Sequence, residues 1–169
     1  MKKVLTLLIL LVAFSSCETD VKFNNPGFEV TKDNRAWRAD VMSASLQGDD
    51  IVIAAYRGAE GVFLTFPKPV GASKLSPITY TFAYEGEDND DISASYIYED
   101  SGVTLDYYAG PDSDVENQGN ITIQITEFDG EQLKLSGTFR FNAKYQGDSE
   151  IVPENVNFQS GFFYKVPLN

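Results

Sequence analysis

From Ile121 to Ala143 apolar and polar residues alternate almost one by one, and a period of two admits a strand with one buried and one wetted face and little else. Ile121-Thr122-Ile123-Gln124-Ile125-Thr126 faces Leu133 to Ala143 across a turn supplied by Asp129-Gly130. A chain that carries such a pair must find further strands to cover the buried side, because a lone hairpin is marginal in water.

The rest of the chain supplies them. Ile51 to Tyr56, a turn over 57–61, and Val62 to Phe66 stopped by Pro67 and Pro69 read as a second hairpin. Ile78 to Tyr84, Ile92 to Tyr98 and Val103 to Tyr108 are rich in Tyr, Ile, Val and Thr and are separated by glycine or acidic loops. Phe28-Glu29-Val30 reads as a first strand, Lys32 to Arg35 as the turn before Trp37, and Val156 to Val166 as a last strand. No window after residue 17 carries a helical stripe. The expected fold is all-β: an antiparallel β-sandwich of about ten strands, with a closed or half-open β-barrel as the alternative that the pattern leaves open.

The N-terminus has a different texture. Met1-Lys2-Lys3 precedes an apolar or hydroxyl run from Val4 to Phe14, and Ser15-Ser16-Cys17 follows. That is the layout of a secretory signal peptide, and the run falls well short of the ~20 apolar residues that cross a bilayer. Cys17 is the sole cysteine, and Phe14-Ser15-Ser16-Cys17 resembles the relaxed lipobox of Bacteroidetes lipoproteins. Without a lipid it would be an unpaired thiol in an exported chain. Residues 1–16 are thus expected to be a lipoprotein signal peptide, 17–27 the lipidated Cys17 and a polar tether, and 28–169 a single β domain. Several acyl chains, each contributing ~0.8 kcal/mol per buried methylene, anchor such a protein stably. The expected location is the cell envelope, at the outer membrane, with the periplasmic and surface faces both left open.

Composition then narrows the partners. The formal charge is -12 over 169 residues, which repels phosphate backbones and excludes nucleic acid as a partner. There is no histidine, and lipidation of Cys17 leaves no free thiol. Imidazole-dependent and thiol-dependent catalysis and zinc clusters are therefore excluded. Carboxylate chemistry survives, such as glycan hydrolysis by two acids about 5 to 9 Å apart.

Several phrases resemble an uncharacterised family of small Bacteroidetes lipoproteins: Phe28 through Trp37-Arg38-Ala39, Ile78-Thr79-Tyr80, Gly137-Thr138-Phe139-Arg140-Phe141-Asn142-Ala143, and Val156 to Phe163. Where that family usually has an Asn-Gly turn before the tryptophan, this chain has Asp33-Asn34-Arg35. The resemblance implies an envelope lipoprotein with one β domain, and it brings no catalytic residues.

Three groups of side chains are candidate ligand sites. The acidic run Glu85 to Asp91 offers hard oxygen ligands of the kind calcium prefers. Asp112, Asp114 and Glu116 alternate in a loop between Gly110-Pro111 and Gly119, and form the better-spaced calcium cage. The competing reading of both is a solvated loop that keeps strand edges apart. The third group is aromatic: Tyr80, Phe82 and Tyr84 share one face of a strand, Tyr96 and Tyr98 that of the next, and Tyr107 and Tyr108 follow. Tyr80, Tyr84, Tyr96 and Tyr98 could stack on sugar rings, against the reading that aromatics at period two are core and cross-strand pairs. Trp37 is expected to close one end of the core.

The functional expectation is a lipid-anchored bacterial envelope protein that works as a non-enzymatic binding or accessory module for an envelope protein or a glycan. A carboxylate-dependent glycan hydrolase and a calcium-stabilised adhesion domain are its rivals. Calcium is the one ion that the acidic loops suit, and no other cofactor is expected.

Overall fold

Tight turns set the local structure. Strand β1 (Gly27–Lys32) returns as β2 (Arg35–Arg38) through Asp33 and Asn34, whose φ angles of 45° and 64° are left-handed. Aspartate and asparagine are among the few non-glycine residues that adopt this conformation, which is what a two-residue hairpin requires. Strands β3 (Val41–Gln47), β4 (Asp50–Arg57) and β5 (Glu60–Pro67) follow as a meander, paired Gln47 to Asp50 and Arg57 to Glu60 at their turns. The remaining strands are β6 (Ile78–Ala83), β7 (Ser93–Asp100), β8 (Val103–Ala109), β9 (Asn120–Asp129), β10 (Lys134–Tyr145) and β11 (Asn155–Pro167). These come from a computed structural model that describes residues 25–84, 86, 90–111, 119–129, 134–148 and 151–169.

All strand pairs are antiparallel, and they form one strongly curled half-barrel sheet. Its main path runs β2-β1-β11-β10-β8-β7-β5-β4-β3, with β9 and then β6 branching from β10. The branch arises because β10 is long enough to serve two partners along one edge: residues 134–142 pair with β9, while Lys144 and Tyr145 pair with β8. Curling brings β3, one end of this path, back to the C-terminal end of β11, where a single parallel bridge joins Ala44 to Leu168. Asn169 N–H donates to the Ala44 carbonyl at 2.9 Å beside it.

The curl encloses one core. Phe28, Phe66, Phe158, Phe163 and the isoleucines of β4 and β9 are fully buried. Rings meet across the interior, Phe66 with Tyr80 at 6.0 Å and Tyr96 with Phe158 at 5.4 Å. Phe141 and Phe158 stack with centroids 4.4 Å apart. Trp37 lies edge-on to Phe28 at 6.0 Å and is buried, so it does cover one end of the core.

The all-β class and the sandwich or half-open-barrel architecture hold. The described residues form eleven strands instead of ten. The strands that the alternation hides are β2, whose four residues around Trp37 are too few to show a period, and β3, which leaves Val41 and Leu46 exposed and buries Ala44. The β9–β10 hairpin pairs Asp129 with Lys134, while the expected turn residue Gly130 lies outside the described residues.

Candidate functional site

Two polar constellations stand out, one inside the curl and one outside. Inside, Glu60 at the start of β5 gathers side chains from three other strands. Lys32 Nζ donates to Glu60 Oε1 at 2.5 Å, and the Tyr96 hydroxyl donates to the same oxygen at 2.6 Å. Trp37 Nε1 donates to Oε2 at 2.7 Å, and Lys32 also donates to the Tyr96 hydroxyl. The lysine ammonium sits 4.0 Å from the Tyr96 ring centroid, where the ring's negative face attracts it. Burial pushes the Glu60 carboxyl up, but the hydrogen bonds from Lys32, Tyr96 and Trp37 and the charge of Lys32 outweigh burial and hold it below the usual glutamate range. Burial first, then Glu60 itself, raises the Tyr96 hydroxyl far above the ordinary tyrosine range.

This arrangement fixes an ionised carboxylate whose two oxygens are already engaged. It is suited to locking strands together and not to protonating a leaving group, a task that needs a carboxyl with a raised pKa.

The tyrosines expected to form a sugar-stacking stripe mostly face this interior. Tyr96 is buried at 3% exposure, and Tyr80 and Tyr98 are half-buried and pack against the core. Tyr84 lies half-buried just beyond β6. The period of two that aligned them on one strand face is the period that turns that face inward. Asp112, Asp114 and Glu116 lie outside the described residues, as do Cys17 and most of the run from Glu85 to Asp91. Among the described residues no three acidic, cysteine or histidine side chains gather as a metal site. No helix among them is long and apolar enough to cross a membrane.

The outer constellation is built by register. Six strands, β2, β1, β11, β10, β9 and β6, lie side by side, and their outward residues form rows across the sheet. One row reads Arg38, Glu29, Phe162, Thr138, Gln124, Thr79. The next reads Ala36, Thr31, Gln159, Arg140, Thr122, Thr81. Gln124 Nε2 donates to Thr79 Oγ1 at 3.2 Å and Arg38 Nε meets Glu29 Oε1 at 3.3 Å. Asn142 and Asn157 pair side by side on the same face, at 2.5 Å.

A bulge breaks this face open. In β11 two residues, Gln159 and Ser160, oppose the single Arg140 of β10, and the pairing with β1 shifts at the same place. Ser160 has a left-handed φ of 53°, the kind of distortion that bulges use to re-aim side chains. Ser160 lines three grooves. One of about 570 Å³ includes Thr81, Thr122, Arg140, Asn142 and Asn157. A second of about 530 Å³ includes Thr79, Gln124, Thr138, Arg140 and Phe162. The third, of about 430 Å³, extends past Phe162 to Glu29, Arg38 and Arg57. Such volumes suit one or two sugar-sized units. The sequence displays these threonines, amides and Arg140 only as the wet half of its alternation, so the site shows itself once strand register is known.

A family model described as "Domain of unknown function (DUF6252)" matches residues 24–167. No curated protein and no solved structure matches the chain.

Proposed function

We propose, from the premise that the chain belongs to the DUF6252 domain family, that it is a lipid-anchored bacterial envelope protein whose β domain is a non-enzymatic binding module. Lipid on Cys17 holds it to the outer membrane, with 17–27 as the lipidated cysteine and polar tether. The observation that carries the binding role is the bulge at Ser160, where two grooves lined by hydroxyls, amides and Arg140 meet a third lined by Glu29, Arg38, Asp40 and Arg57 on a six-strand face. A face of short polar side chains with an open groove is built for recognition through hydrogen bonds. Glu60 is committed to the strand lock, so a carboxylate-dependent hydrolase would have to draw its proton donor from another acid, such as Asp106, which burial pushes up.

Two experiments test this reading. Growth with an alkyne-tagged fatty acid should label the wild-type chain in the membrane fraction, whereas Cys17→Ser should be unlabelled and released by washing. A photo-crosslinking residue placed at Thr122 in intact cells should give adducts that one placed at the exposed Leu75 does not. Equal labelling of Cys17→Ser would remove the anchor, and no adduct at Thr122 would remove the binding face.

A further inference from the structure

We infer that the outer face binds a saccharide bearing a carboxylate, held by the Arg140 guanidinium with Phe162 as the platform beneath the sugar ring. This deepens the reading of the face as a binding site and rests on it.

Charge comes first. The chain carries -12, yet the two rows that cross the six-strand face hold Arg38, Arg140 and Glu29 as their charged residues. Glu29 is paired with Arg38 at 3.3 Å, which leaves Arg140 as the free charge of the pair of rows. Among the described residues no carboxylate pairs with it, and its one side-chain hydrogen bond is a long 3.4 Å contact to Thr122 Oγ1. Asp90 and Asp33 flank the face, their carboxylates accepting the backbone N–H groups of Thr81 and Asn157, while Arg140 lies between them within the sheet, where an exposed positive group selects an anion. Arginine adds geometry, because its planar fork matches a carboxylate with two parallel hydrogen bonds.

The surroundings point to a sugar carrying that carboxylate. Phe162 is half-buried, lines the same groove as Arg140, and pairs across the strands with Thr138 on one side and Glu29 on the other. A ring held by its strand neighbours offers an apolar surface for the C–H face of a pyranose. Thr79, Thr138 and Gln124 lie along that groove and Asn142 and Asn157 along the adjoining one, supplying both donors and acceptors. Hydroxyl groups of a sugar need that mixture, whereas a free inorganic anion would need a denser set of donors. The bulge at Ser160 opens the strand surface beside Arg140.

The test uses the intact protein purified in detergent. Binding is measured to oligogalacturonate and to the same oligomer fully methyl-esterified, which keeps the sugar and removes the charge. The wild type should bind the acid about tenfold more tightly than the ester, reflecting a charge-assisted bidentate pair. Arg140→Ala should lose that preference while keeping its melting temperature, since the side chain is exposed. Arg140→Lys should restore part of it, and Phe162→Ala should weaken acid and ester alike. Equal binding of acid and ester overturns the inference and leaves the binding face standing, provided that Phe162→Ala still weakens both. Acid preference that survives in Arg140→Ala also overturns it, and so does an absence of binding to either oligomer. Adducts at Thr122 in intact cells would in each case still report on the binding face separately.

Discussion

Trp37 donates its indole N–H to Glu60 across 2.7 Å, tying the hairpin of β1 and β2 to the opposite wall of the curl. Lys32, five residues before the tryptophan, reaches the other oxygen of the same carboxylate, and Tyr96 of β7 joins it there. One acid therefore holds the N-terminal hairpin against β5 and β7, strands with which β1 and β2 share no backbone pairing. The outer face depends on this lock, because Arg38 and Glu29 belong to the hairpin that it secures.

Replacing Glu60 by alanine should destabilise the domain by roughly 2 kcal/mol, since it leaves an indole N–H, an ammonium and a hydroxyl without their shared acceptor. The side chains of Lys32 and Glu60 are each 21% exposed, so water softens the loss below that of a fully buried pair. In a urea titration the midpoint should fall with little change in slope. Combining Lys32→Met with Glu60→Gln should cost less than the two single changes added together, because both remove the same contact.

The acid limb of stability should also carry the mark of Glu60. Its folded pKa is lowered, so it contributes stability above the unfolded value and loses it as pH falls through the folded one. The gap in unfolding free energy between wild type and Glu60→Gln should therefore be flat near neutrality and shrink once pH drops below about 4.5. A gap that stays constant down to the acid unfolding transition would show that the carboxylate charge plays no part.

At the alkaline end the sign reverses. Tyr96, Tyr107 and Tyr80 all have raised folded pKa values, in each case chiefly through burial. The unfolded chain releases these protons near pH 10 while the folded chain keeps them, so stability is complete below pH 10 and falls as pH rises beyond it. Tyrosinate absorbance from these three residues should accordingly appear together with unfolding, and Tyr96→Phe should remove part of it.

The strands and their inward faces were legible from residues such as Ile121, Ile123 and Ile125, because burial imposes a period that survives in a single sequence. The hub at Glu60 was not legible. Lys32, Trp37, Glu60 and Tyr96 are scattered along the chain and meet only when four strands are placed. The outer site failed for a related reason: Thr79, Thr122 and Arg140 each look like ordinary solvent-facing strand residues until cross-strand register sets them near one another. The tyrosines were legible as a shared face, and of the two readings that face allowed, core pairing and sugar stacking, Tyr96 and Tyr107 follow the first, because both are buried.

Two glycines separate backbone strain from steric conflict and so test the packing where β6, β8 and β10 converge. Gly119 has a left-handed φ of 78°, and a Cβ added there would lie 2.1 Å from the backbone oxygen of Asn142 and 3.1 Å from the Ala109 side chain. Its carbonyl also accepts the Tyr84 N–H at 3.2 Å, so the chain cannot shift away without cost. Gly71 has a similar φ of 82° with nothing within 4 Å of an added Cβ. Gly71→Ala should therefore cost only the conformational term, about 1 kcal/mol. Gly119→Ala should cost that and the collision with backbone, about 3 kcal/mol or more, lowering the melting temperature by roughly 10 °C. Equal, small effects of the two changes would mean that β9 does not enter the sheet beside Asn142 as described, and with it the register that sets Thr122 beside Arg140 would fall.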